Sequence, residues 1–185
     1  MSAWIWIAVA VAAVGLYLSW TAGRLDRLHA RIDAARAALD AQLLRRSSVA
    51  QELATSTLLD PAASVVLYQA AHAARAASGT EAQEVAESEL SQALRAVFGE
   101  PAQVDVVREA PGGDAATHEL TEAVRRVPMA RRFHNDAVRD ALVVRRRRIV
   151  RLLHLAGHAP QPSYFEIDDA PLEKPGVAAP VAPYD

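Results

Sequence analysis

The side chains best placed to do chemistry lie at 131–136. Arg131-Arg132-Phe133-His134-Asn135-Asp136 carries two guanidinium groups, an amide and a carboxylate within two helical turns. On a helix, Arg132 and Asp136 are four apart and can pair, as can Arg131 and Asn135. Such a cluster can bind a carboxylate or phosphate of a partner. It can also fix helix register against a second polar set, Asp40, Gln42, Arg45 and Arg46. The register-fixing use is expected; partner or anion binding is the alternative. His154 and His158 are four apart, a metal-ligand spacing, but Gly157 separates them and no third ligand is near. Ser47, Ser48 and Ser56 have no neighbouring base. Pro111-Gly112-Gly113 lacks the lysine and the preceding strand of a phosphate loop. Cysteine is absent, which excludes a thiol nucleophile, a thiolate zinc site, disulfides and a lipidated cysteine. No catalytic residue, cofactor or metal site is expected.

A second basic feature is the run Arg145, Arg146, Arg147, Arg148 and Arg151. It fits a nucleic-acid contact by charge. However, no aromatic platform is interleaved with it and the chain has a net charge of −2, so nucleic acid is not expected as a partner. A basic patch against anionic lipid is the preferred reading, at roughly 1 kcal/mol per arginine near the surface.

The elements that must position these groups begin with a membrane segment. No charged side chain lies between Met1 and Gly23. About 20 apolar residues span the ~30 Å hydrocarbon core. Trp4 and Trp6 stand at one end, Tyr17 and Trp20 at the other, where interfacial aromatics belong. A cleaved signal peptide would need a basic leader and a shorter apolar run. Arg24, Arg27, Arg31, Arg36, Arg45 and Arg46 follow the span, so the positive-inside rule places the amino terminus outside and the rest in the cytoplasm.

Alanine occurs 40 times and the aromatic fraction is 5%, a composition for close-packed helices rather than a bulky β core. Leu25, Leu28, Ile32, Ala35 and Leu39 form one seam, and helix one is expected to run unbroken to about residue 58. Asp60-Pro61 starts helix two, which runs to about Ser78. Thr80 and Gln83 read as a capping box opening helix three, which ends near Phe98 before Gly99. Residues 102–108 can form a short helical piece, and 110–114 a loop. Helix four starts near Ala115 or Thr117, with Leu120, Ala123, Val127, Ala130, Ala137, Ala141 and Val144 on one face. It is expected to end at Gly157, kinked or split at Pro128. The lengths, ~50 Å, ~27 Å, ~27 Å and ~60 Å, fit an antiparallel up-and-down, four-helix-type bundle whose last helix returns to the membrane. The expected domains are an anchor at 1–23, a cytoplasmic bundle at 24–158 and a Pro-rich acidic tail at 159–185, mostly disordered, in the part beyond residue 170.

Three motifs carry a family resemblance. Leu39-Asp40-Ala41-Gln42-Leu43-Leu44-Arg45-Arg46 resembles the "I-D-x-Q-L-x-R-R" block of LemA family proteins. Ala130-Arg131-Arg132-Phe133-His134-Asn135-Asp136-Ala137-Val138 is similar to the family's "A-R-x-F-Y-N-D-x-V", with His134 in place of Tyr. Tyr164-Phe165-Glu166 is similar to its C-terminal "Y-F-E". The resemblance implies a bacterial, membrane-anchored, all-helical bundle and no established catalysis. The function expected is a non-enzymatic interaction or scaffold protein that self-associates or docks on another membrane protein. The seam Leu25/Leu28/Ile32 is the expected contact. The alternative is a regulatory accessory subunit of a membrane or envelope-stress protease system.

Overall fold

The computed structural model describes residues 2–147, 150 and 161–172. Every regular element among them is helical: α1 (Ser2–Thr55), α2 (Pro61–Ala76), α3 (Thr80–Phe98), α4 (Pro101–Glu109) and α5 (Gly113–Arg145). The chain divides into two compact units, one of Met1–Ala38 with Arg132–Tyr164, the other of Leu39–Arg131 with Phe165–Asp185.

Local chemistry sets most helix ends. Asp60 takes extended backbone and accepts from the N–H groups of Ala62 and Ala63 at 2.9 and 3.0 Å, with Pro61 in the first helical position. The Thr80/Gln83 capping box does not form. Gly79 is the N-cap, at φ 88° and ψ 151°, and no side chain caps α3. Thr80 is already inside the helix, so its hydroxyl cannot reach back as a cap; the Gln83 N–H bonds the Gly79 carbonyl at 3.0 Å. Gly99 follows α3, and Pro101 holds Glu100 extended (φ −105°, ψ 122°), so the next helix must restart. Gly113 begins α5, ahead of both expected starts, Ala115 and Thr117. A Cβ there would lie 1.7 Å from the Val107 carbonyl oxygen, so this turn admits only glycine.

In the larger unit, the core joins Ala50 and Leu53 of α1, Leu67 and Ala71 of α2, Leu90, Leu94 and Phe98 of α3, Val107 of α4, and Leu120 and Ala123 of α5. A separate cluster holds Leu39, Leu43, Val127 and Phe165. Helix α5 runs through Pro128 without a break, which removes the split from the two expected outcomes.

In the other unit, Ile32 packs on Ala137, Val138, Ala141 and Leu142, and Leu25 packs on Val144 and Val150. The seam offered as a contact for another protein is thus covered by the chain's own α5. Arg31 and Asp140 pair at 3.2 Å at the surface of this contact. Helix α5 ends at Arg145 and Val150 is again helical; the expected end at Gly157 lies outside the described residues. The Arg147 N–H turns back to the Val144 carbonyl at 3.1 Å, an i to i−3 bond that tightens the chain out of α geometry. His154, His158, Arg148, Arg151 and the tail beyond 172 lie outside the described residues.

Residues 161–172 fall within the expected tail, yet Phe165 is wholly buried. Disorder is expected beyond residue 170, and this docked stretch lies almost wholly ahead of that point. The stretch carries no regular element yet docks, and an aromatic side chain with a matching pocket contributes about 1.5–3 kcal/mol by burial.

Candidate functional site

Helix α3 has two working faces. Ala86, Leu90, Ala93, Leu94 and Val97 form its apolar stripe, all buried. Glu84, Glu87, Ser88, Ser91 and Arg95 recur at spacings of three, one, three and four, which places them on one side of the helix. This polar stripe receives Arg46 of α1 and the segment Phe165–Leu172.

Arg46 and Glu87 are each 2% exposed and pair at 2.5 Å. Arg46 also donates to the Ser91 hydroxyl at 2.9 Å and to the Glu87 carbonyl at 3.0 Å. Burial pushes the Glu87 carboxyl above its ordinary 4.5, and the Arg46 charge and hydrogen bond oppose that rise. The Nε of Arg46 has no protein acceptor. Arg46 lines a cavity of about 10 Å³ with Ser91, Leu94, Pro128, Asp169 and Leu172, room for about one water.

The segment 165–169 lies along the stripe with a two-residue alternation. The backbone N–H of Glu166 donates to Glu84 Oε1 at 2.8 Å, and that of Asp168 to Ser88 Oγ at 3.1 Å. Phe165 and Ile167 enter the cluster of Leu39, Leu43 and Val127. Arg95 holds the Asp168 carboxylate through Nη1 and Nη2, the Nη1 contact at 3.2 Å. This fork holds Asp168 below its ordinary 3.8. Arg131 reaches Asp169 through Nε at 2.9 Å and Glu166 through Nη1 at 3.3 Å. The arrangement recognises carboxylates on an extended chain and offers a deep slot for one aromatic ring. Among the described residues no group of three or more His, Cys, Asp or Glu could hold a metal ion.

Of the residues picked from sequence, Arg46 and Arg131 belong to this site. Asp40 accepts from Gln83 at 3.4 Å, and Arg45 pairs with Glu119 at 3.5 Å near solvent. The Oε1 of Gln42 is buried without a partner. Arg132 is exposed and Phe133 is 62% exposed. Asp136 pairs with Arg139 at 3.0 Å rather than with Arg132: positions three and four away both lie on its side of the helix, and Arg139 is the one that meets it. Asn135 is half-buried. Sequence reasoning missed Glu84, Glu87, Ser88, Ser91, Arg95, Asp168 and Asp169. The signal was the polar spacing in α3, which passes for a solvated face until something covers it.

The other unit carries the residues expected at a membrane. Trp4, Trp6, Tyr17 and Trp20 are 77, 72, 43 and 56% exposed. One helix among the described residues, α1, is long and apolar enough to cross a membrane. The Arg24 guanidinium sits 5.8 Å from the Trp20 ring centre. Arg145 approaches His29 at 3.5 Å, and Arg146 and Arg147 are exposed.

Comparison with family models, with curated proteins and with solved structures gives no match.

Proposed function

We propose that the protein is a single-pass, membrane-anchored interaction protein without catalytic activity, of the LemA type that its motifs resemble. One observation carries this reading. From Ala3 to Leu16 every residue of α1 is exposed, including Trp4, Ile5, Trp6, Val9, Val11 and Leu16, whereas from Leu25 onward the same helix packs on other helices. A stretch apolar on all sides has no favourable place in water, and lipid supplies the missing partner.

In this reading the amino terminus is outside and the remaining helices form a cytoplasmic, antiparallel up-and-down bundle. The packing of Leu25 on Val144 supports a basic patch at the bilayer. It sets Arg145, Arg146 and Arg147 beside the residues that follow the apolar run. The partners are the lipid bilayer and a protein, either a second copy or another membrane protein.

Crosslinking in intact membranes with mass spectrometry tests the protein partner, and alkaline extraction tests the anchor. Retention in the extracted membrane pellet with homotypic crosslinks supports self-association. One dominant foreign partner supports docking, including on a protease or stress system. Release by alkali would remove the anchor from the proposal.

A further inference from the structure

The groove that holds residues 165–169 has the features of a peptide receptor. Its slot takes an aromatic ring to zero exposure, its two side-chain acceptors on α3 meet alternate backbone N–H groups, and its two guanidinium groups hold three carboxylates. Alternate N–H capture with alternating side-chain pockets is how extended peptides are bound in general. The occupant supplies its own definition: Phe165-Glu166-Ile167-Asp168-Asp169, an aromatic, then an aliphatic two residues on, with acids between and after.

We propose that this groove is a binding site for a partner chain bearing an aromatic–acidic–aliphatic–acidic–acidic segment, and that residues 165–169 are its internal competitor. The inference goes beyond the membrane reading and stands without it. Charge complementarity favours this occupant. Arg95 holds the Asp168 carboxylate and also reaches the Ala170 carbonyl at 3.5 Å, Arg131 holds Asp169 and Glu166, and Glu84 and Ser88 accept from backbone N–H groups, donors that lipid phosphates lack. A tethered segment acts at an effective concentration in the millimolar range, so the natural chain binds the same peptide in trans weakly.

The test uses the full chain in mild detergent and a fluorescent peptide of residues 163–172. In the variant Phe165→Asp with Asp168→Lys, the internal competitor is spoiled and the groove residues are untouched. That variant is expected to bind the peptide at least ~tenfold more tightly than the natural chain, and addition of Arg95→Glu is expected to return it to weak binding. In the natural chain, millimolar peptide is expected to speed amide exchange at Glu166 and Asp168 several-fold, with Leu90 and Leu94 unchanged. A peptide of the same composition in shuffled order is expected to do neither. Equal affinity of the spoiled and natural chains overturns the proposal, as does equal binding of the shuffled peptide. Displacement of the peptide by inorganic phosphate alone also overturns it, since the groove would then be a general anion site. If the spoiled variant loses its helical signal at 222 nm, the exchange measurement decides: unchanged exchange at Glu166 and Asp168 overturns the proposal.

Discussion

Replacing Glu87 by Ala should be among the most damaging single changes in the larger unit. The substitution leaves the Arg46 guanidinium 2% exposed with only two neutral acceptors, Ser91 Oγ and the Glu87 carbonyl. Stranding one member of a buried ion pair costs about 3–5 kcal/mol, because the remaining charge has lost both water and counter-charge. For a chain of this size 1 kcal/mol corresponds to about 2–4 °C, so the melting temperature should fall by about 6–20 °C. The paired replacement Arg46→Met with Glu87→Leu removes both charges and keeps the volume filled. It should stay within about 2 kcal/mol of the natural chain, or exceed it. Ser91 is not orphaned by that change, since its hydroxyl donates to the Glu87 carbonyl at 3.0 Å. Circular dichroism at 222 nm on the full chain in detergent, read as a double-mutant cycle, measures the difference. Loss of less than about 1 kcal/mol in Glu87→Ala, or a double variant as unstable as the single, refutes the reasoning. The pH dependence has a defined sign. Because burial raises the folded pKa of Glu87 above 4.5, its contribution is complete below that value and is lost as pH rises through the folded one. Glu87→Gln should therefore flatten the loss of stability on the alkaline side of that transition.

Asp168 has the opposite sign. Its folded pKa lies below 3.8, so its contribution is present above that value and is lost as pH falls through the folded one. Asp168→Asn should abolish this acid-side loss, followed by amide exchange at Glu166 between pH 5 and pH 2. Phe165→Ala should cost about 3–5 kcal/mol by urea titration, because its slot among Leu39, Leu43 and Val127 cannot refill. Asp60→Ala removes two N–H acceptances at the start of α2 and should cost about 1 kcal/mol in the same titration. Gly113→Ala should cost more than about 2 kcal/mol and unlock the α4–α5 turn, visible as faster exchange of the Gly113 amide, which donates to the Ala110 carbonyl at 2.9 Å.

The helices were legible because their signals are local. Asp60-Pro61, the Gly99–Pro101 break and the periodic face Leu120, Ala123, Val127, Ala137, Ala141 act within a turn or two, and the structure follows each. Helix ends that depend on competition between neighbours were less legible. Gly79 displaced Thr80 as the cap of α3 because a residue without Cβ enters that backbone region without strain. The groove was illegible for a different reason. A stripe of Glu and Ser on α3 has the composition of a wet surface, and only the distant Arg46 and Phe165–Leu172 make it an interior. The polar groups chosen from sequence fared accordingly: Arg46 and Arg131 met long-range acids, while Asp136 found a neighbour one turn away.

The buried alanines have a consequence for where disorder begins. Ala50, Ala71, Ala123, Ala137 and Ala141 are at most 1% exposed, and an alanine has no rotamers to surrender on folding. The ordering cost of side chains is therefore concentrated in a few long ones, with up to about 2 kcal/mol each for Arg46, Arg95 and Arg131. On warming, the entropy released by freeing an arginine exceeds anything an alanine contact can release. The helical faces should stay associated while the guanidinium contacts around Phe165–Leu172 loosen, so the groove opens at temperatures where the helices that frame it are still intact.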